Sequence, residues 1–189
     1  FKESATMLIN ECREKCNKVL NCRFMSKKLD MERRRFYDII NVLDGIDLFK
    51  KLDADSFIWR GPECARKKLY QIATMRGVFD STNKLEDVFP SKKCISITQI
   101  SIDILLVFAA LQVRRIDLKD LSYFLARNNG REKTMICKLY QAAAIFELAG
   151  IVEKTKNIGE FEISDGFYLQ FKEDPTYIDS LLNRKSPKS

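Results

Sequence analysis

The sequence predicts an α+β, mostly helical fold of two tandem units, each with three helices closed by a two-stranded hairpin, and three observations lead there. In the stretch ERRRFYDIINVLDG (32–45) and the residue after it, Phe36, Ile39, Ile40, Leu43 and Ile46 recur at three- and four-residue intervals. That is the spacing of one buried helical stripe. Two strand-like runs, 48–52 and 56–60, then flank Asp53, Ala54 and Asp55 and read as a hairpin with a short polar turn. The pattern returns more than 100 residues later. Setting Tyr140 on Tyr37 places Leu139 on Phe36, Ile145 on Val42, Phe146 on Leu43, Glu147 on Asp44, Ile151 on Leu48 and Lys154 on Lys51. A period this long means a duplicated domain, not a solenoid.

In chain order, Met7, Leu8, Ile9, Cys12 and Cys16 make a stripe for a first helix over 5–18, with Glu11, Arg13, Glu14 and Lys15 mostly on the other side. Arg23 and Phe24 are expected as a short strand and 26–29 as a brief second helix. Met31 leads into the third helix, which ends near Gly45, a residue that commonly stops helices. Gly61 and Pro62 close the first unit. A connecting segment, 62–93, opens with a short helix over 65–74 carrying Arg66, Lys67 and Lys68, and shows no sustained heptad pattern. The second unit, 94–165, is expected to hold helices over 99–111, 118–125 with Asp117 as N-cap, and 133–148 after a turn at Asn128, Asn129 and Gly130. Strands over 151–154 and 160–163 follow, around Asn157 and Gly159. The tail, 166–189, begins with Phe167, Tyr168, Leu169 and Phe171, too apolar for a simple linker and expected against the second unit. Arg184 to Ser189 read as a disordered basic end.

Composition narrows the function. The 189 residues are 46% hydrophobic and 31% charged with a net charge of +7, a globular balance that tilts toward a polyanionic partner. There is no histidine, which excludes His-based triads and the common Cys-His zinc sites. The six cysteines, at 12, 16, 22, 64, 94 and 137, include no CxxC pair. They read as reduced, mostly buried thiols of a reducing compartment, with a cluster of Cys12, Cys16, Cys22 and a distant fourth ligand as the alternative. The longest apolar run, 104–111, is too short to span a bilayer. No signal peptide is visible, and a start at Phe1 suggests a fragment. With no phosphate-cradling glycine loop and no paired-carboxylate motif, no enzyme, cofactor, metal or small-molecule substrate is expected.

Three arginines, Arg33, Arg34 and Arg35, run straight into the 32–45 helix, with Arg34, Asp38 and Asn41 off its apolar face. A helix with arginines at its N-terminal end suits the major groove, where guanidinium forks bond guanine O6 and N7 in pairs; the alternative is a solvated basic turn on a core helix. The segment RRFYDIINVLDGIDLFKK followed by SFIWRG, with Arg34, Arg35, Tyr37, Asp38, Asn41, Val42, Leu43 and Trp59 at the signature positions, resembles the winged-helix DNA-binding domain (1–61) of the E-two-F/DP cell-cycle transcription factors.

That resemblance implies a nuclear regulator of cell-cycle genes that binds double-stranded DNA at a GC-rich core flanked by T-rich sequence. Arg34 and Arg35 would contact bases. Arg33, Tyr37, Asp38, Asn41, Lys50, Lys51 and Arg60 would support them or meet the backbone. The tandem resembles the atypical branch of the family, in which both halves of the DNA clamp lie on one chain. The second copy departs from the motif, with Cys137, Lys138, Leu139, Tyr140 and Gln141 at the Arg-Arg-x-Tyr-Asp positions and Ala144 at the Asn. Losing two guanidinium forks removes roughly 1 to 3 kcal/mol of base discrimination each. The second copy is therefore expected to supply backbone contacts through Lys133 and Lys138, or to hold a protein partner. A rival reading makes the whole chain a scaffold subunit of a nuclear complex with weak or nonspecific DNA contact.

Overall fold

The computed structural model describes residues 1–91, 94 and 96–170. The first helix, α1 (Lys2–Glu14), buries Ala5, Leu8, Ile9 and Cys12, a stripe at three- and four-residue spacing. Met7 and Cys16, expected in that stripe, are exposed, Met7 because it lies off the stripe and Cys16 because the helix stops at Glu14.

The short strand falls at β1 (Leu20–Asn21), not at Arg23 and Phe24. Leu20 pairs with Phe57, and the Asn21 Oδ1 accepts the Phe24 N–H at 2.9 Å, which starts α2 (Cys22–Lys28) four residues earlier than the apolar pattern suggests. Phe24 sits on the outer side of that helix, 64% exposed.

Next, α3 (Arg33–Gly45) buries Phe36, Ile39, Ile40, Val42 and Leu43 and packs on α2 and on β2 (Phe49–Lys51). Antiparallel pairing of Phe49 with Trp59 and of Lys51 with Phe57 joins β2 to β3 (Ser56–Trp59), giving a three-stranded sheet in the order β1-β3-β2. Phe36, Phe49, Phe57 and Trp59 stack edge-on or tilted beneath α3, with centroids 5.2 to 5.9 Å apart along the chain of contacts.

The connecting segment is structured. Its α4 (Pro62–Met75) buries Ala65, Leu69 and Ala73, and a short α5 (Leu85–Val88) follows, which the sequence pattern does not show. The Arg127 guanidinium fastens this region by donating to the carbonyls of Glu86 and Phe89 at 3.0 and 2.6 Å.

After it come α6 (Ile97–Leu111), β4 (Arg115–Asp117), α7 (Leu118–Ala126), α8 (Glu132–Leu148), β5 (Val152–Lys154) and β6 (Glu160–Ile163). The β4 strand likewise has no signal in the sequence pattern. The second sheet has the order β4-β6-β5, and Asp117 caps α7 by accepting the N–H groups of Lys119 and Asp120 at 2.7 and 3.0 Å. Its register repeats the first: Lys154 faces Phe161 as Lys51 faces Phe57, and Ile116 faces Phe161 as Leu20 faces Phe57.

Helix α6 is apolar nearly all round, burying Ile100, Ile102, Ile104, Leu105, Leu106, Val107 and Phe108, because α3, α4 and α8 all pack on it. Gly45 belongs to this contact. It is the last residue of α3, and the left-handed residue beyond the helix is Asp47, at φ 64°. A Cβ on Gly45 would meet Thr98 of α6 at 3.2 Å, so the glycine, which ends the helix where expected, also serves close packing.

The cysteines correct another expectation. Cys12 and Cys22 are buried and Cys64 is half-buried, but Cys16, Cys94 and Cys137 are exposed, so the thiols are not mostly buried. Phe167 and Leu169 are buried, and Arg114 lies 4.1 Å over the Tyr168 ring, while Phe171 and Arg184 to Ser189 lie outside the described residues. Among the described residues, no helix is long and apolar enough to cross a membrane.

Candidate nucleic-acid interface

The amphipathic spacing of α3 turns its polar side outward. Phe36, Ile39, Ile40 and Leu43 face inward, so Arg33, Arg34 and Arg35 all emerge exposed in the first turn. They are not equivalent. The Arg34 guanidinium has no ion-pair or hydrogen-bond partner among the described residues. Arg35 reaches Asp38 one turn on, with Nη1 3.3 Å from Oδ2. Arg33 lies over the Tyr37 ring, 5.5 Å from its centroid, with Nη2 3.4 Å from Asp55 Oδ1.

Asp55, in the hairpin turn, is a junction that sequence reasoning missed. Its carboxylate accepts the Tyr37 hydroxyl at 2.6 Å and pairs with Arg23 at 2.7 Å as well as with Arg33. The Tyr37 hydrogen bond, followed by that from Arg23, holds the Asp55 carboxyl below the usual range for an aspartate, and the Tyr37 contact raises Arg33 above an ordinary arginine. Asp53 keeps the turn closed, accepting the Asp55 N–H at 2.8 Å and the Ser56 hydroxyl. No local pattern marks Asp55, because its partners come from α2 and α3 and meet it only once β1 pairs with β3.

The remaining predicted residues divide by what they touch. Lys51 Nζ donates to Asn41 Oδ1 at 2.8 Å, and the Lys51 N–H donates to Asp44 at 2.7 Å, so helix and hairpin are tied side by side. Lys50 is exposed, and Arg60 lies 3.7 Å from Asp47. Tyr37 and Asp38 are half-buried supports, the first for the hairpin turn and the second for Arg35. Lys133, exposed, and Lys138, half-buried, belong to α8 and do not join this cluster. Among the described residues, no group of three metal-ligating side chains converges.

Residues 2–61, which hold the three helices and the hairpin, match the model of the E-two-F/DP family winged-helix DNA-binding domain. The first unit belongs to that family. Relatives match over stretches of similar length. Transcription factor E2F8 of Rattus norvegicus is 30% identical over 69 residues, 36% of this chain and 8% of that protein. Transcription factor E2F2 of Mus musculus is 42% identical over 45 residues, 24% of this chain and 10% of that protein. Transcription factor efl-3 of Caenorhabditis elegans is 31% identical over 48 residues, 25% of this chain and 8% of that protein. The matched stretch thus spans a tenth or less of these relatives.

Residues 94–165, expected as a second unit, differ from the winged helix at the positions of this surface. Through the shared register, Ile136, Cys137 and Lys138 stand where the winged helix has its three arginines, Ala144 stands at Asn41 and Glu153 at Lys50. Cys22 N–H donates to the Asp55 carbonyl as Leu118 N–H does to Gly159, so Gly159 is the counterpart of Asp55. A Cβ there would meet the Tyr140 hydroxyl at 2.9 Å. Glu153 lies directly opposite Glu162, whose carboxylate takes Arg115 at 2.9 Å.

Proposed function

We propose that the chain binds double-stranded DNA as a sequence-specific regulator of transcription in the nucleus, acting on cell-cycle genes as its family suggests. The unpartnered, exposed Arg34 at the mouth of α3 carries this reading, because a free guanidinium fork beside a buried stripe is what major-groove contact with guanine needs. Arg35, restrained by Asp38, is the second base-contacting residue, and the site read is GC-rich. Lys50, Lys51 and Arg60 supply phosphate contacts that set register, whereas Arg33, expected among them, is paired with Asp55, and Tyr37, Asp38 and Asn41 hold the helix and hairpin in place.

We read residues 94–165 as a second, degenerate winged helix. Its repeated strand order and register support that reading, as does the cap position shared by Asn21 and Asp117. The loss of both forks favours backbone contacts through Lys133 and Lys138, or a protein partner, over base reading, and the Glu153–Glu162 pair on its sheet, which would repel phosphates, favours the protein partner. Competition of a labelled GC-core duplex against a scrambled duplex tests the reading. A preference of about tenfold or more supports it, since one bidentate contact is worth roughly 1 to 3 kcal/mol. Equal competition by both duplexes selects the scaffold alternative.

A further inference from the structure

We propose that Asp55 is a specificity-determining residue whose carboxylate keeps Arg23 and Arg33 off the DNA backbone and so holds nonspecific affinity down; this rests on the DNA-binding reading above. The geometry is that of a restraint. One carboxylate takes Arg23 at 2.7 Å, Arg33 at 3.4 Å and the Tyr37 hydroxyl at 2.6 Å. Arg23 and Arg33 are 63% and 58% exposed, so both would swing free into solvent if released.

Stability does not account for the two arginine pairs, because exposed ion pairs contribute about 0 to 1 kcal/mol, and the turn is already held by the Tyr37 hydrogen bond. Placement does. Arg33 is the neighbour of Arg34, and Asp55 lies in the hairpin turn beside the same helix end, so the negative charge sits where phosphates would approach. In the second unit the arginine run is gone, and so is the acid: Gly159 occupies the equivalent position. Asp53 does not share the task, since its carboxylate is spent on the turn's own Ser56 and Asp55.

Nonspecific binding is electrostatic almost entirely, and each phosphate contact adds about 0.9 to the slope of log K against log salt. Freed arginines would therefore strengthen scrambled-DNA binding more than cognate binding, where base contacts already fix the docking. The experiment measures salt-dependent binding of cognate and scrambled duplexes by the full chain as wild type, Asp55→Asn and Asp55→Asn/Arg33→Gln. Asparagine keeps an oxygen for the Tyr37 hydroxyl while removing the charge. Asp55→Asn is expected to steepen the salt slope by about two, to tighten scrambled DNA on the order of tenfold at low salt and to narrow selectivity. Adding Arg33→Gln should take back about one unit of slope. A slope unchanged or shallower in Asp55→Asn, with circular dichroism unaltered, overturns the proposal while leaving DNA binding intact. A parallel loss of both affinities with a lowered Tm overturns it too, showing a structural role only. Wild type that binds neither duplex removes the DNA-binding reading itself, and this inference with it.

Discussion

Gly45 of α3 and Thr98 of α6 approach so closely that a Cβ on the glycine would sit 3.2 Å from the threonine carbonyl oxygen and 3.3 Å from its Cα. Both of those atoms are backbone, which cannot rotate away. Because α3 also packs on α8, this contact fixes the arginine-bearing helix against the layer formed by α6 and α8.

Gly45→Leu should therefore destabilise the chain even though leucine is the better helix former by somewhat under 1 kcal/mol. Overpacking of this kind costs about 1 to 3 kcal/mol, a Tm fall of a few degrees for a chain this size. Thermal unfolding by circular dichroism gives the answer. A Tm that rises would show that helix propensity outweighs the α3–α6 contact.

Phosphate contacts make a separate prediction. Neutralising Lys50, Lys51 or Arg60 one at a time should weaken cognate and scrambled DNA alike and flatten the salt slope by about one unit per contact. Lys51 has a second tie, to Asn41, so Lys51→Gln should also lower stability slightly, whereas Lys50→Gln should not. Salt slopes indifferent to all three changes would make these residues a solvated face.

Much of this fold is legible in the sequence. Period 3.6 in 32–46, the hairpin around Asp53 to Asp55, and the offset that sets Lys154 on Lys51 all reappear in the element bounds and the strand register. What is not legible has no local period to show it. Two-residue β1 exists because Leu20 finds Phe57 across the sheet, and β4 because Ile116 finds Phe161. Gly45 reads as a helix stop because glycine usually is one, and only Thr98 reveals the packing reason. In the candidate site, Arg34 and Arg35 can be picked from the motif, but Asp55 cannot, since its three partners lie 18 to 32 residues away in sequence. The same packing bears on dissection: residues 1–61 alone would strip α6 and α8 from α3. The role of the second unit is better tested by Lys133→Ala and Lys138→Ala in the whole chain.

The thiols report the core independently of DNA. Burial pushes the Cys12 thiol up to about 12 and raises Cys22 as well, whereas Cys16, Cys94 and Cys137 are exposed. At pH 8 a thiol of that pKa is thiolate in roughly one molecule in ten thousand, so Cys12 should resist a thiol reagent until the chain unfolds. Peptide mapping after brief labelling should find Cys16, Cys94 and Cys137 modified and Cys12 and Cys22 untouched. Cys12 labelled as fast as Cys16 would mean that α1 does not pack as described.

The central claim is that α3 reads bases through Arg34 and Arg35, and selection from randomised duplex DNA by the full chain tests it most directly. The wild type should enrich a GC core. Arg34→Ala and Arg35→Ala should each relax the guanine positions of that core by about 1 to 3 kcal/mol while circular dichroism stays unchanged, because both side chains leave α3 on its exposed side. Lys133→Ala and Lys138→Ala should lower affinity without changing the motif. No enriched motif from the wild type, or the same motif from both arginine variants, would contradict the account.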